Sequence, residues 1–489
     1  MNWIGDISLA LIAGTLITWM VRSLVSARRN AEAERRAEQY RTYQALAAHF
    51  GEANLQALVC VRRSFPAHFR ADLQKALDGV FGGRTSVRAF HGVKSRHHEM
   101  SGIAALLDRH DWAPEIAPPE YVEVDVGETD PVRCVRRGLW LLDEDGVRYA
   151  VFVTPEDRFG DERGVLVDVA VPSGDAAATV PSRVFRSLES GIQRAASYRG
   201  KVLSLELSTN FGGYAKGIRV HRLTPVEREH VVLPASVLDL IDRNVLRFVA
   251  SRDRLAALGQ RLFKGILLYG PPGTGKTYTI HWLARALPDH TFLLITAEQV
   301  GLFAEYMALA RMLQPSVVVV EDADLIARER ESMGNACTES ALNGLLNELD
   351  GLREDARVLV LLTTNRPQSI EPALAGRPGR VDQAIELPLP DDECRVRLVA
   401  LYGRDLDLAP GLADEVVRRT DRASAAFIKE LLRKMTQHAL ERTHAETGNG
   451  GTKPRLEVAD LDGALDELLV RGGRLNASLL GVATAADRD

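Results

Sequence analysis

The segment GPPGTGKT, from Gly270 to Thr277, constrains the fold of this chain more than any other stretch. It matches the spacing G-x-x-x-x-G-K-[ST] in full, after the apolar segment GILLYG and before the helix-favouring segment YTIHWLARAL. Glycines in such a loop let backbone N–H groups turn towards phosphate oxygens, and the start of the following helix favours negative charge. The pattern therefore predicts a nucleotide-phosphate loop between a buried strand and a helix.

Four apolar segments in the second half of the chain predict buried parallel strands, because stretches of helical length separate them. Beyond residue 390, amphipathic segments dominate, notably ASAAFIKELLRKMTQHALE at 423–441, and predict a helical lid. We expect an α/β domain over 231–389, with a parallel sheet flanked by helices, followed by a lid and C-terminal tail over 390–489. The predicted strands are GILLYG (265–270), TFLLITA (291–297), VVVVED (317–322) and VLVLLTTN (358–365).

The loop also predicts which side chains bind the nucleotide. Lys276 supplies a point charge for the β- and γ-phosphates, and the Thr277 hydroxyl is a ligand for Mg²⁺. We expect ATP with Mg²⁺ to be the cofactor. The predicted nucleotide-binding residues are Gly270, Pro271, Pro272, Gly273, Thr274, Gly275, Lys276, Thr277 and Tyr278.

Further segments resemble AAA ATPases, and they occur in the family's order. VVEDAD at the end of the acidic strand, LLTTN at 361–365 and PALAGRPGRVD at 372–382 resemble the large domain, and ASAAF at 423–427 resembles the second-sensor region of the lid. The resemblance covers roughly residues 231–441. It implies a P-loop AAA module that hydrolyses ATP as a homo-oligomer, a hexameric ring, and acts on a protein client.

Within that family, three features resemble the membrane-anchored mitochondrial translocase of the Rieske iron–sulfur subunit and its bacterial relatives. They are the order Glu321 then Asp322, the ending GRVD, and the apolar N-terminus. Many ATPases of the family carry Asp then Glu instead. By alignment Glu321 takes the magnesium-side position and Asp322 the water-activating one. Because Asp is one methylene shorter, its carboxylate would sit about 1.5 Å further back. Two alternatives stay open, a working hydrolase and a nucleotide switch with little turnover.

The same resemblance gives roles to three more residues. It makes Asn365 the first sensor, which orients the attacking water near the γ-phosphate. It makes Arg377 and Arg380 arginine fingers that reach a neighbour's ATP, since the charge that develops on the γ-phosphoryl group needs a guanidinium. One extra residue precedes Arg377 relative to the commonest family spacing, which leaves open which arginine is the main finger.

The first 50 residues predict a single membrane anchor over 1–25 and a solvated helical stalk over 26–50. The segment IGDISLALIAGTLITWMVRSLV, residues 4–25, is mostly apolar and as a helix spans roughly 33 Å. Five arginines at 22–36 follow or end this span and only Asp6 precedes them, so the positive-inside rule puts the ATPase body in the cytoplasm, at the cell membrane. A cleaved signal peptide and a buried core helix are the alternatives; no basic residue precedes the apolar run, as a signal peptide would require.

Residues 51–230 predict an α+β middle domain that recognises the client or supports assembly. Short β-rich segments alternate with Gly, Asp and Pro turns, and 181–196 predicts a helix. His91, His97, His98 and Glu99 lie in a polar, loop-like stretch whose spacing matches no strong metal-ligand pattern, and HHEMSG lacks the second histidine of HExxH. The predicted strands are YVEVDV (121–126), VRYAVFVTP (147–155), VLVDVAV (165–171) and VLSLELS (202–208).

Composition and one missing motif narrow the function classes. A net charge of −5 with no basic stripe argues against nucleic acid as a partner. The four cysteines are far apart, which fits neither a zinc site nor a disulfide framework. The segment AEQVGLFAEYMALARML (297–313) lacks the aromatic-apolar-Gly pore loop of many AAA unfoldases, and the spacing of Phe303 and Tyr306 is typical of core residues. We therefore expect remodelling or translocation of a client. The rivals are a protease-activating unfoldase and a nucleotide-gated membrane scaffold.

Overall fold

A computed structural model of the chain describes residues 41–82, 86–95, 102–109, 113–158, 161–195, 197–207, 215–324, 355–368, 381–447 and 454–471. These residues form two compact units, one ending at Ser197 and the other beginning at Tyr198. The predicted anchor at 4–25 and the first part of the stalk lie outside the described residues. Among the residues that are described, no helix is long and apolar enough to cross a bilayer.

The first unit is built on an antiparallel sheet with the strand order β1-β8-β7-β6-β2-β3. A separate hairpin joins β4 and β5. The elements of this unit are α1 (Thr42–Phe50), β1 (Leu58–Pro66), α2 (Arg70–Phe81), β2 (Val87–Lys94), β3 (Glu115–Ala117), β4 (Tyr121–Val124), β5 (Val132–Val135), β6 (Gly138–Glu144), β7 (Val147–Arg158), β8 (Asp161–Pro172) and α3 (Ala176–Ala195).

Both faces of this sheet are covered, because its central strands are apolar on both sides. Val165, Val167, Val169 and Val171 of β8 face the core that α2 and α3 complete. The opposite face, which includes Phe152, packs against α1. An antiparallel sheet with helices on its faces is the α+β arrangement expected for this region.

Two details of this unit differ from the sequence-based expectations. Tyr43, Leu46 and Phe50 of α1 are buried, so residues 42–50 are part of the first unit and not a solvated spacer. His91 lies on strand β2 and not in a loop, and burial lowers the pKa of its imidazole. His97, His98 and Glu99 lie outside the described residues. No cluster of metal-ligating side chains occurs in the described part of the chain.

The second unit contains a sheet with the strand order β10-β9-β12-β13-β14-β11-β15, followed by a helical region. Its elements are β9 (Val202–Leu207), β10 (Ala215–His221), α4 (Ala235–Ile241), α5 (Arg247–Ala250), α6 (Arg252–Ala257), β11 (Lys264–Tyr269), α7 (Lys276–Ala286), β12 (Thr291–Ile295), α8 (Phe303–Met312), β13 (Ser316–Val320), β14 (Val358–Thr364), β15 (Gln383–Glu386), α9 (Asp392–Gly403), β16 (Asp407–Leu408), α10 (Leu412–Arg419), α11 (Ala425–Thr447), β17 (Arg455–Leu456) and α12 (Val458–Leu465).

The central strands of this sheet are parallel, as their uninterrupted apolar sequences predict. Val317 to Val320 of β13 are completely buried between its neighbours β12 and β14. The α/β prediction for the domain is therefore confirmed. Because the strands are parallel, the residues that follow β11, β13 and β14 all lie at one edge of the sheet, where ligands bind in folds of this type.

Strands β9 and β10 belong to this second sheet, although the sequence placed the segment 202–208 in the middle domain and the boundary at residue 230. Val202 and Leu203 pair with β12, and β10 pairs with β9. Farther along β9, the Leu205 N–H donates to the Tyr306 hydroxyl at 2.7 Å, and its carbonyl accepts from Gln299 Nε2 at 2.8 Å. Side chains thus complete the pairing of β9, which no local sequence pattern could indicate.

The lid follows the sheet and has its own core. Helices α9, α10, α11 and α12 bury residues such as Phe427, Leu431 and Met435 of α11 against one another. This agrees with the helical lid predicted from residue 390 onward. The short strands β16 and β17 pair in parallel at its side.

Candidate nucleotide-binding site

The predicted phosphate loop connects β11 to α7, and its backbone requires glycine. Gly270, Gly273 and Gly275 have φ angles of 149°, 76° and 95°, a region that side chains other than glycine rarely adopt. A Cβ atom on Gly270 would lie 2.2 Å from the Leu387 carbonyl oxygen, so strand β11 and the segment after β15 meet there without space for a side chain. These glycines hold the loop in a tight curve at the end of the sheet.

Lys276 begins helix α7 and lies under the loop. Its side chain is buried, and Nζ donates to the carbonyl oxygens of Gly270 and Pro271, both at 2.8 Å. Burial lowers the pKa of Lys276 to about 8, and the negative charges of Asp322 and Asp324 partly oppose that shift. The lysine therefore remains a cation at neutral pH, next to two carboxylates.

Asp322 lies at the end of β13, where the chain turns. Its φ of 48° is in the left-handed region, which aspartate tolerates better than most residues. The Asp322 N–H donates to Thr363 Oγ1 at 3.1 Å, and Oδ1 accepts from Asn365 Nδ2 at 3.2 Å. The structure thus brings together the predicted water-activating carboxylate and the predicted first sensor.

Glu321 follows β13 directly, one residue before Asp322. Its N–H donates to the Ile295 carbonyl oxygen at 3.0 Å, and its half-buried side chain is not among the described residues that line the cavity beside the phosphate loop. The magnesium-side role of Glu321 stays a prediction.

Asp324 is a buried carboxylate whose role the sequence analysis did not identify. Its Oδ1 accepts from Thr364 Oγ1 at 2.8 Å and from the Asn365 N–H at 3.3 Å. It therefore fixes the end of β14, and with it the position of the Asn365 side chain. Its place two residues after Asp322 was the available signal, but sequence alone does not show that it is buried.

A cavity of about 490 Å³ lies beside the loop, within the second unit, and its size suits a nucleotide. One wall carries the polar groups Lys276, Thr277, Asp322 and Asn365, and the other walls combine apolar with polar side chains. Every predicted nucleotide-binding residue from Pro272 to Tyr278 lines it. The remaining lining residues are His230, Val231, Val232, Leu233, Thr279, His281, Thr363, Leu398, Tyr402, Ala425, Ala426 and Lys429.

The lid forms one side of this cavity. The Ala426 N–H donates to the Gly273 carbonyl oxygen at 3.2 Å, and a Cβ atom on Gly273 would lie 2.7 Å from Ser424 Oγ and 2.9 Å from Ala426 Cβ. The first turn of α11 is therefore in direct contact with the phosphate loop. Tyr402 of α9 lines the cavity from the lid, and burial raises the pKa of its hydroxyl to about 12.

The residues present fit a nucleotide with Mg²⁺. The Thr277 hydroxyl and the Asp322 carboxylate are oxygen donors of the kind that Mg²⁺ takes, and both line the cavity. The glycine-rich curve and the cation of Lys276 suit phosphate oxygens. Phe303 and Tyr306 are buried in α8, which confirms that they are core residues. Arg377 and Arg380 lie outside the described residues.

Comparison with known proteins agrees with this geometry. Residues 266–389 match the family model described as ATPase family associated with various cellular activities (AAA). The chain contains an AAA ATPase module. Such a module hydrolyses ATP and uses Mg²⁺ with it, so the predicted reaction and cofactors of this part of the chain are confirmed.

Several curated proteins are similar to this chain over the module. The ATP-dependent zinc metalloprotease FtsH 3 of Sphaerobacter thermophilus is 33% identical over 280 residues, which are 53% of this chain and 54% of that protein. The ATP-dependent zinc metalloprotease FtsH of Acidimicrobium ferrooxidans is 34% identical over 254 residues, which are 49% of this chain and 36% of that protein. The 26S proteasome regulatory subunit 6A of Schizosaccharomyces pombe is 32% identical over 244 residues, which are 46% of this chain and 54% of that protein.

The chain thus spans about half the length of these relatives or less. Among solved structures, the crystal structure of the FIGL-1 AAA domain in complex with ADP is 21% identical, with a TM-score of 0.43, and the match covers 58% of this chain and 89% of that one.

Proposed function

We propose that this chain is a membrane-tethered AAA ATPase that works as a homo-oligomeric ring, a hexamer, and couples ATP hydrolysis to remodelling or translocating a protein client. One observation carries the proposal. Lys276, Asp322 and Asn365 come from three separate segments, and they meet at one cavity beside a glycine-rich phosphate loop. The order Glu321 then Asp322 supports a finer assignment to the clade of the Rieske-protein translocase.

The side chains divide the work of hydrolysis. Lys276 would donate to phosphate oxygens in place of its two backbone carbonyl partners. Thr277 would hold Mg²⁺, and the alignment adds Glu321 on the magnesium side. Bound Mg²⁺ neutralises charge on the β- and γ-phosphates. Asp322 takes a proton from the water whose oxygen attacks the γ-phosphorus, and the bond from that phosphorus to the β,γ-bridging oxygen breaks. Asn365 holds the Asp322 carboxylate through its Nδ2 hydrogen bond.

Arg377 and Arg380 act from the neighbouring subunit, which makes hydrolysis depend on ring assembly. The proposal predicts that Arg380→Ala binds ATP normally but fails to hydrolyse it. Mixed with Asp322→Asn chains, it should regain part of the activity at sites that combine an intact arginine with an intact carboxylate. If the mixture stays inactive although mixed rings form, the arginines do not act between subunits.

The way in which the client is handled follows from the segment after β12. Tyr306 and Phe303 are held in the core, and Tyr306 is bonded to β9, so neither side chain is available to grip an extended chain. This favours remodelling or moving a folded client over threading an unfolded one. The first unit is the proposed client or assembly domain, and residues 4–25 are the proposed anchor, with the ATPase on the cytoplasmic side.

A second candidate is a nucleotide-gated membrane scaffold with little turnover, because the Asp322 carboxylate is one methylene shorter than the Glu that many ATPases of the family carry there. A third candidate is a protease-coupled unfoldase, which is suggested by relatives whose names describe a metalloprotease and a proteasome subunit. The present sequence contains no HExxH motif.

Steady-state ATP hydrolysis by the purified full chain in detergent tests the proposal, with Lys276→Ala as the binding-deficient control. We expect turnover that needs Mg²⁺ and disappears in the variant. Tight ATP binding without turnover in the native chain would establish the scaffold instead. Turnover that is independent of protein concentration, by a chain that stays monomeric in native mass spectrometry, would contradict the ring.

A further inference from the structure

A groove runs between helices α2 and α3 of the first unit, away from any residue used above. Its floor is made of small residues, because the two helices touch there. A Cβ atom on Gly191 of α3 would lie 2.6 Å from Ala76 Cβ of α2. Gly79 and Ala195 extend this floor, and the space above it has a volume of about 480 Å³. The groove therefore has a shallow base along which a ligand backbone can approach closely.

The rim of this groove is basic. Lys75 of α2 and Arg186 and Arg194 of α3 line it, together with the hydroxyls of Ser187 and Ser190. Within the described residues, none of the three cations forms an ion pair. No carboxylate is among the residues that line the groove.

Other arginines of the same region have acidic partners. Arg183, one turn before Arg186 on α3, pairs with Glu144 at 2.8 Å, and Arg63 of β1 pairs with Glu189. The three cations of the groove therefore differ from these neighbouring arginines, whose charges are paired with carboxylates. Three positive charges gathered over one concave surface attract an anionic partner, and they lower the cost of removing it from water.

The spacing of the charges indicates the size of that partner. Arg186 and Arg194 are eight positions apart on one helix, which places their Cα atoms about 12 Å apart along its axis. Three to four residues of an extended chain span the same distance, so successive side chains of one bound segment can meet both arginines. The concave shape and the floor of small residues suit a polypeptide better than the flat surface of a membrane. We propose that this groove binds an acidic segment of a protein partner.

Fluorescence anisotropy of a labelled, glutamate-rich peptide with the purified full chain tests this assignment. The matched peptide carries glutamine in place of every glutamate. We expect the acidic peptide to bind, more weakly as salt is added because added ions screen exposed charges, and the glutamine peptide not to bind.

Two sets of variants locate the site. Arg186→Gln with Arg194→Gln removes two charges of the rim, and we expect the dissociation constant to rise about tenfold, the effect of two solvent-exposed ion pairs. Ser190→Glu places a competing carboxylate in the groove and should weaken binding to a similar degree without removing a cation. The control, Arg88→Gln with Arg183→Gln, removes the same charge from arginines that already pair with Asp143 and Glu144. It should leave binding within about twofold, because these residues lie outside the groove.

Each alternative outcome overturns the assignment. Equal losses in the groove and control variants would mean that only net charge matters. Binding of the glutamine peptide would mean that the surface is not selective for carboxylates. If the acidic peptide fails to bind, whereas vesicles containing phosphatidylserine bind the native chain but not the Arg186→Gln, Arg194→Gln variant, the partner is a membrane. ATP hydrolysis measured on the same preparations keeps this result separate from the ATPase proposal, because the groove does not contribute to the nucleotide site.

Discussion

Replacing Asp322 with Asn is expected to separate ATP binding from ATP hydrolysis. The Asp322 carboxylate lines the nucleotide cavity, and its Oδ1 lies 3.2 Å from Asn365 Nδ2. Asparagine has the same shape and keeps an oxygen for that hydrogen bond, so the end of β13 should stay in place. An amide cannot take a proton from water, however. The variant should fold and bind ATP, yet fail to turn it over.

The size of the loss follows from the role of the carboxylate. Removing a general base costs roughly 10²- to 10⁴-fold in rate, which raises the barrier by about 3 to 5.5 kcal/mol. ATP affinity at neutral pH should change by no more than about threefold, because Lys276 and the loop remain and the lost charge is repulsive towards phosphate. Asp322→Glu extends the carboxylate by about 1.5 Å, and a misplacement of that size costs about 10²-fold in turnover.

Glu321→Gln is the matched control, since it makes the same chemical change one residue away. Its side chain does not line the cavity, so maximal turnover should stay within about tenfold of the native value. If Glu321 holds the magnesium side, as the alignment implies, the variant needs more Mg²⁺ to reach half-maximal turnover. This shift would distinguish its role from that of Asp322.

The assay measures phosphate release by the full chain over a range of ATP and Mg²⁺ concentrations, with binding followed by a fluorescent ATP analogue. The reasoning is refuted if Asp322→Asn retains more than about a tenth of native turnover. It is also refuted if Glu321→Gln is the variant that binds ATP without hydrolysing it. In that case the reversed order would be compensated by a local shift of the strand end.

Three further results are expected. Gly273→Ala should weaken ATP binding at least tenfold and lower the melting temperature, because its Cβ would collide with the lid. Gly275→Ala should have a milder effect, because its Cβ would meet nothing within 4 Å. Equal effects of the two variants would mean that backbone strain, and not the collision with the lid, causes the loss. Because the pKa of Lys276 is lowered to about 8, its cation is lost as pH rises through that value, so ATP affinity should fall there in the native chain and stay flat in Lys276→Arg. Tyr306→Phe leaves the Leu205 N–H without its partner and should lower the free energy of unfolding by about 1 to 3 kcal/mol in urea denaturation; an unchanged value would show that the bond contributes nothing.

Much of the ATPase sheet could be predicted from the sequence because buried parallel strands leave a local record. A strand covered on both faces is apolar throughout, and its functional residues follow directly at its end. The pattern therefore located the strands after which Lys276, Asp322 and Asn365 follow, and the family resemblance supplied the roles of Asp322 and Asn365. Parallel pairing of their strands then explains why they meet, since their ends lie at the same edge of one sheet.

The other walls of the site left no comparable record. Val231 to Leu233, Leu398 and Tyr402 reach the cavity from segments more than 160 residues apart in sequence, and each looks like an ordinary apolar residue in its own segment. The burial of a residue depends on packing against distant parts of the chain. For this reason the sequence indicates no role for the Asp324 carboxylate, and it places helix α1 in a solvated stalk. The same limit applies to β9, whose period-two pattern predicts a strand but not the sheet that it joins.

The contact between the phosphate loop and α11 joins a residue that the sequence pattern predicts to residues that it does not. Gly273 was predicted as a loop glycine, and the reason it must be glycine lies in the lid, where Ser424 and Ala426 leave no space for a Cβ atom. The Ala426 N–H also donates to the Gly273 carbonyl oxygen, so a shift of the loop on binding phosphate must move or break the first turn of α11. That helix is 23 residues long and carries much of the core of the lid. A small rearrangement at the loop would therefore displace the lid as a body, because a packed core moves between arrangements and does not deform continuously.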